Sequence, residues 1–388
     1  MSQTSRSNVA SRLTLETRSI ISVCALLRLT RRAQSRSFRV TNADGFARRW
    51  ALMNFKTLPK IDLHLHLDGA IRVPTIAELG DELGIKLPTY DPLQLAPLVQ
   101  VGADCRSLTD FLKRFEVFYP ILPFARTQER IAYELCEDCQ RDNVIYFEAR
   151  FAPVLAASPQ FSMEDSVVAA LEGFRRGQRD FGIRCGLILC CYRSVSVAEN
   201  VETVKLAAKY RDQGVIGIDL AGDENQFAAA PHAEAFALAR KLDIPITIHA
   251  GEGDQPGNIR EAVFTHGARR IGHGVSLQND PELLKAVRDT GTFFEICLTS
   301  NLHTCTVASL EAHPFKKFFD EKVRVTLNTD DPGISNITLS NEFELAARAY
   351  QLRTADIRAL LDNAAQAAFG DVSLQRELAA KIHAALAV

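Results

Sequence analysis

Eight short β-rich runs alternate with helix-patterned segments along this chain, and that alternation limits its fold more than any other feature. The runs are Lys60 to Leu67, Val144 to Pro153, Ile183 to Cys191, Val215 to Gly222, Pro245 to Glu252, Arg270 to Val275, Thr292 to Ser300 and Arg324 to Pro332. Most intervals between them carry apolar residues at helical spacing, as in Met163 to Phe181, Val197 to Gln213, Ala233 to Leu242, Ile259 to Thr265, Pro281 to Thr290 and Leu310 to Glu321. Strands that alternate with helices predict a parallel sheet. Eight such units in about 335 residues fit a closed (β/α)8 barrel, an α/β fold, better than an open sheet. The first two runs lie about 75 residues apart, far more than one crossover helix needs, which predicts extra helices over the barrel mouth as a lid.

The 388 residues are 47% apolar and 24% charged with a net charge of −2, which describes a chain long enough for a large core and excludes a disordered or fibrous one. No window of eighteen consecutive apolar residues occurs, so no membrane helix is expected. The near-neutral charge supplies no basic field for nucleic acid or an acidic membrane. Nine cysteines without regular spacing point to a reducing compartment, and so to the cytoplasm. Cys136 and Cys139 fall in a helical pattern with no second pair following, which reads as helix packing.

Residues 1–52 break this composition: ten Arg, no Lys, and only Glu16 and Asp44 as acids, against about −10 for the rest of the chain. The expectation is a disordered or upstream-start extension, with an organelle transit peptide or a structured arm as the alternatives. A single catalytic domain is accordingly set at residues 53–388, since Met53 stands just before the first patterned run.

Reactive residues gather at the ends of the runs. In Ile61-Asp62-Leu63-His64-Leu65-His66-Leu67-Asp68 the two-residue period of a strand puts Asp62, His64, His66 and Asp68 on one face. Two imidazoles on the crowded inner face of a barrel are either satisfied core histidines or a chelating pair. His249 ends the fifth run and His273 the sixth, each next to glycine, and Asp330-Asp331 ends the eighth. All of these fall at C-terminal strand ends, where a barrel of this kind builds its active site. A metal centre accounts for their convergence. Imidazoles with a carboxylate and no thiolate suit Zn2+ with an open position for water, whereas Mg2+ or Ca2+ would want more oxygen ligands.

Taken together, His64-Leu65-His66-Leu67-Asp68-Gly69-Ala70, Asp219-Leu220-Ala221-Gly222-Asp223-Glu224, His249-Ala250-Gly251-Glu252, Arg270-Ile271-Gly272-His273-Gly274 and Asn328-Thr329-Asp330-Asp331-Pro332 resemble the adenosine deaminase family in order and spacing. Cys297-Leu298-Thr299-Ser300-Asn301 is more similar to bacterial-type members than to animal ones. The resemblance runs from about Leu58 to the C-terminus and implies a metal-dependent hydrolase that deaminates adenosine and 2'-deoxyadenosine with one Zn2+ per chain. It implies His64, His66, His249 and Asp330 as metal ligands, Glu252 as the acid that protonates purine N1, and His273 as the residue that takes or orients the proton of the attacking water. It further implies Asp331 at purine N7, the backbone of Gly222 at N3, and Asp68 at the ribose 5'-hydroxyl. Family members acting on free adenine resemble Glu at the Asp68 position, and a phosphate-accepting relative resembles Asn there.

The apolar stripe Leu108, Phe111, Leu112 and Phe115, at helical spacing, is either plain core or the lid; the resemblance favours Leu108, Phe111 and Phe115 as substrate-shielding residues. The expected partner is a small nucleoside, with no nucleic acid and no membrane, and the sequence leaves the oligomeric state open. Two alternatives remain: a deaminase of adenine or of an N6-substituted adenylate, and a non-catalytic nucleoside-binding protein.

Overall fold

A computed structural model of the chain describes residues 53–102, 104–253 and 255–386; the expectations for residues 1–52 lie outside them. Eight strands occur in the described part: β1 Lys60–His66, β2 Val144–Phe151, β3 Arg184–Tyr192, β4 Val215–Ala221, β5 Thr247–Ala250, β6 Arg270–His273, β7 Phe293–Ile296 and β8 Arg324–Leu327. They pair in parallel and in sequence order as two four-stranded ladders. Bridges between Ile218 and Ile246 and between Leu65 and Asp330 join the ladders on both sides, so the ring closes. At the second junction the His66 amide donates to the Asp330 carbonyl and the Asp330 amide donates to the His64 carbonyl, each at 2.8 Å. The α/β barrel expected from the alternation is the fold observed.

Helices pack around this ring, which buries each strand on two sides and explains why the strands read as almost continuous apolar runs. Met163–Phe181 begins in a capping box, with Ser162 and Asp165 exchanging side-chain and backbone hydrogen bonds, and stops at Gly182 with φ of 66°. Pro281–Thr290 starts at Asp280, whose side chain accepts from the Leu283 amide, and stops at Gly291. The long interval after β1 holds Val73–Glu82, Pro92–Val99, Leu108–Glu116 and Ala125–Arg141. Cys136 and Cys139 are buried on the last of these. Leu339–Tyr350, Thr354–Ala367 and Val372–Ala385, beyond the eighth run, complete the chain, and Thr354–Ala367 packs on β1 and β8.

Several elements are shorter than their sequence patterns. The seventh run extended to Ser300, but β7 ends at Ile296 and Leu298–His303 is helical. The Asn328 amide makes the last ladder bond here, to the Ile296 carbonyl at 2.9 Å, and past it the chain bonds to itself, Asn301 to Cys297. The fifth run reached Glu252, yet β5 ends at Ala250 because Gly251 turns into the left-handed region at φ 74°. The helix expected from Leu310 starts only at Phe315, behind Pro314.

The barrel interior departs from a plain apolar core. Arg150, Glu148, Asp219, Arg270 and Glu295 point inward with essentially no exposure. Arg150 pairs with Asp219 at 3.1 Å and Glu295 at 2.9 Å, while Arg270 lies 2.6 Å from both Glu148 and Glu295 and stacks 3.7 Å over the Phe369 ring. Buried charges survive only when paired in this way.

Candidate active site

The C-terminal rim of the barrel collects the reactive side chains. β1 contributes His64 and His66, β5 contributes His249, β6 ends in His273, and the turn after β8 carries Asp330 and Asp331. His273, at the end of β6, and Asp330, just past β8, hold φ at 62° and 66°, a left-handed conformation rare outside glycine. Two glycines make the crowding possible. A Cβ on Gly272 would come within 2.8 Å of His64 Cε1, and one on Gly69 would overlap Asp331 Oδ1.

Within the rim the ligating atoms converge. His66 Nε2 lies 3.2 Å from His249 Nε2 and 3.3 Å from Asp330 Oδ1, and His64 Nε2 lies 3.1 Å from the same carboxylate oxygen. Behind them, His64 Nδ1 is 2.7 Å from Glu295 Oε2, and His249 Nδ1 is 2.7 Å from Asp219 Oδ2. A proton on each Nδ1, facing a carboxylate, leaves each Nε2 as a bare lone pair. His64 Nε2 is buried without a hydrogen-bond partner. Lone pairs crowded together in a buried site repel one another unless a cation sits among them, so these residues fit a divalent metal ion. Ligand atoms of His64, His249, His273 and Asp330 all lie within 4.8 Å of one another, and His66 groups with Asp330 and Asp331.

The acid groups around the cluster are tuned by burial. Glu252 is pushed up to about 8 by burial and by the nearby charges of Asp330 and Glu224, against a hydrogen bond from Thr304 Oγ1 at 3.2 Å. Asp331 is driven well above the usual carboxyl range by burial and by Asp330, Asp68 and Glu252. Burial lifts Asp68 only to about 6, leaving it ionised at neutral pH. His273 is held well below the usual imidazole range, because burial and the nearby histidines outweigh Asp330. Glu252 Oε2 and Asp330 Oδ2 lie 3.8 and 3.9 Å from His273 Nε2.

The chain as a whole is similar to known proteins. Residues 59–385 match the sequence profile of the adenosine deaminase family. The chain belongs to the adenosine deaminase family. The adenosine deaminase of Clostridium botulinum (strain 657, type Ba4) is 37% identical over 326 residues, covering 84% of this chain and 98% of that one. Among solved structures, the N6-mAMP deaminase of Arabidopsis is 31% identical with a TM-score of 0.77, covering 85% of this chain and 99% of that one. An amidohydrolase from Burkholderia ambifaria with bound zinc is 25% identical with a TM-score of 0.77, covering 92% and 96%.

A cavity at the strand ends draws in most of the residues singled out from sequence. His66, His249, His273, Glu252, Asp330 and Asp331 line it, with Asp68 and Gly222. Leu108, Phe111 and Phe115, on the helix Leu108–Glu116, line it together with Leu112. His64 lies beneath, fully buried. Sequence reasoning missed Tyr119, Tyr192 and Thr304 on the cavity wall and the supporting Glu295, Asp219 and Asn301. A signal existed for two of them: Asp219 and Glu295 are single charges inside otherwise apolar β-runs. No lysine or arginine is among the described residues that line the cavity.

Proposed function

We propose that this chain carries out zinc-dependent hydrolytic deamination of adenosine and 2'-deoxyadenosine, giving inosine or 2'-deoxyinosine and ammonia. The single observation that carries the reading is Glu252, a carboxyl kept protonated near neutral pH and facing the histidine cluster inside the cavity. His64, His66, His249 and Asp330 would hold one zinc ion per chain. Bound there, zinc would supply Lewis acidity, bringing the pKa of a water down from 15.7 to about 7.

The residues of the chain do the rest. Addition of water at C6 breaks the conjugation of the purine, and Glu252 relieves this by giving its proton to N1. His273 takes or orients the proton of the attacking water. Asp331, kept as a neutral acid, has a proton to donate to the N7 acceptor, and the Gly222 backbone meets N3. Asp68, ionised, accepts from the 5'-hydroxyl. Leu108, Phe111 and Phe115 cover the base and exclude water.

The similarity to an N6-mAMP deaminase raises a second substrate class, adenylates. A 5'-phosphate beside the Asp68 carboxylate, with no lysine or arginine among the described residues of the cavity wall, would be repelled, which favours the neutral nucleoside. We further place the enzyme in cytoplasmic purine metabolism, as a single catalytic domain over residues 53–388 with no nucleic-acid partner. Product analysis tests the reading: one inosine and one ammonia should appear per adenosine consumed. Loss of adenosine without inosine, or no loss with zinc bound, would overturn it.

A further inference from the structure

Four histidines crowd the rim, and His64, His249 and His273 all bring a ring nitrogen within 4.8 Å of Asp330, yet His273 is hydrogen-bonded differently from the others. Its Nδ1 does not face a carboxylate. It lies 3.0 Å from the side-chain nitrogen of Asn301. Asn301 Oδ1 in turn lies 3.2 Å from His313 Nε2, and His313 Nδ1 lies 3.0 Å from the backbone amide of Phe315. Asn301, His313 and His273 are all buried.

The direction of this chain follows from its far end. The Phe315 amide can only donate, so His313 Nδ1 is the acceptor. Burial holds His313 down to about 4, so it is neutral and carries its proton on Nε2. That N–H requires an acceptor, which fixes the carbonyl oxygen of Asn301 towards His313 and its amide nitrogen towards His273; the flipped amide would set two donors face to face. Asn301 therefore donates to His273 Nδ1, and the one proton of the neutral His273 ring sits on Nε2. There it faces two acceptors, Glu252 Oε2 and Asp330 Oδ2.

We propose that Asn301 and His313 are positioning residues that lock His273 in its Nε2–H tautomer, which withholds its lone pair from the metal and makes it a hydrogen-bond donor to the attacking water. The relay explains how four neighbouring imidazoles yield only three ligands. His64 and His249 have carboxylates at Nδ1 and lone pairs at Nε2; His273 has the reverse.

The catalytic half of this inference rests on the deaminase reading, while the tautomer does not, and the test separates them. Long-range proton–nitrogen NMR of the zinc-loaded protein, with His273 assigned by its loss in His273→Gln, should show His273 Nε2 protonated and Nδ1 bare. Asn301→Asp replaces the donor by an acceptor, so the proton should move to Nδ1 and a fourth imidazole nitrogen should show the shift of metal binding. Turnover of adenosine should fall on the order of 100- to 1000-fold with KM changed less than about threefold, as for loss of one fixed donor. His313→Gln retains a donor at the Nε2 position and should keep the wild-type tautomer, whereas His313→Leu should give a mixture.

A wild-type His273 protonated on Nδ1, or an Asn301→Asp spectrum unchanged from wild type, overturns the proposal. If Asn301→Asp does not fold, the His313 pair decides: a single unchanged tautomer in His313→Leu overturns it. Wild-type protein inactive on adenosine, but with the expected tautomer, would remove the deaminase reading and leave the relay standing.

Discussion

His64 Nδ1 and Glu295 Oε2 stand 2.7 Å apart on neighbouring sides of the barrel interior, both without solvent exposure. Glu295 is held low by its two arginines, Arg150 and Arg270, although burial alone would raise it, so it stays a carboxylate and draws the His64 proton to Nδ1. Replacing it with Gln keeps the shape and removes the charge. Glu295→Gln should weaken zinc binding by about 10- to 100-fold, read by competition with a chelator. An unchanged affinity would separate the interior charges from the metal site.

Glu252→Gln removes the proton donor of the proposed mechanism and none of the four residues proposed to hold zinc. Turnover of adenosine should fall by about 100- to 10,000-fold while the zinc content stays at that of the wild type. Retained turnover would assign the acid role elsewhere, and loss of zinc would show that Glu252 supports the metal.

The pH dependence follows from the sign of the Glu252 shift. The carboxyl is raised to about 8 and is protonated below that value, the form that the proposed mechanism requires. The log of kcat/KM for adenosine should therefore be flat from neutrality to about pH 8 on account of this group and fall with unit slope above it. Substituting Glu224, whose charge helps keep the proton on Glu252, should move that break to lower pH.

Asp68→Asn replaces an ionised acceptor by a neutral amide at the side of the cavity. Loss of a charge-assisted hydrogen bond is worth about 1.5–3 kcal/mol, so kcat/KM for adenosine should drop by roughly 10- to 100-fold. The ratio of adenosine to AMP turnover should narrow in the same variant. Unchanged adenosine kinetics would place the 5'-hydroxyl elsewhere.

Arg270→Met tests the buried charges of the barrel interior. It leaves Glu148 and Glu295 buried without their shared arginine, 2.6 Å from each in the native barrel. Stability in urea should fall by about 3–5 kcal/mol. A change under about 1 kcal/mol would show that neighbouring groups compensate these carboxylates.

The barrel and its rim were legible because two local signals agreed. The two-residue period placed His64 and His66 on one face, and runs ending in His249, His273 and Asp330 fell where a parallel barrel opens. The lid stripe was half legible: helical spacing grouped Leu108, Phe111 and Phe115, but only packing turned that face towards the cavity. The residues behind the histidines were hidden by distance along the chain. Glu295 meets His64 across 231 positions, and no periodicity records such a contact. Asn301 was hidden for another reason, since it directly follows the run Thr292 to Ser300, whose last residues fold with it as the helix Leu298–His303. The helices Leu339–Tyr350, Thr354–Ala367 and Val372–Ala385 lie past the last strand pattern, which ends at Pro332, so the βα alternation carries no signal for them.

The most direct test is the ultraviolet absorbance change when zinc-replete protein meets adenosine, with adenine and AMP under the same conditions. The expected result is rapid conversion of adenosine alone. Conversion of AMP or adenine with adenosine untouched would contradict the role given to Asp68, and no conversion of any of the three would contradict the adenosine deaminase activity itself.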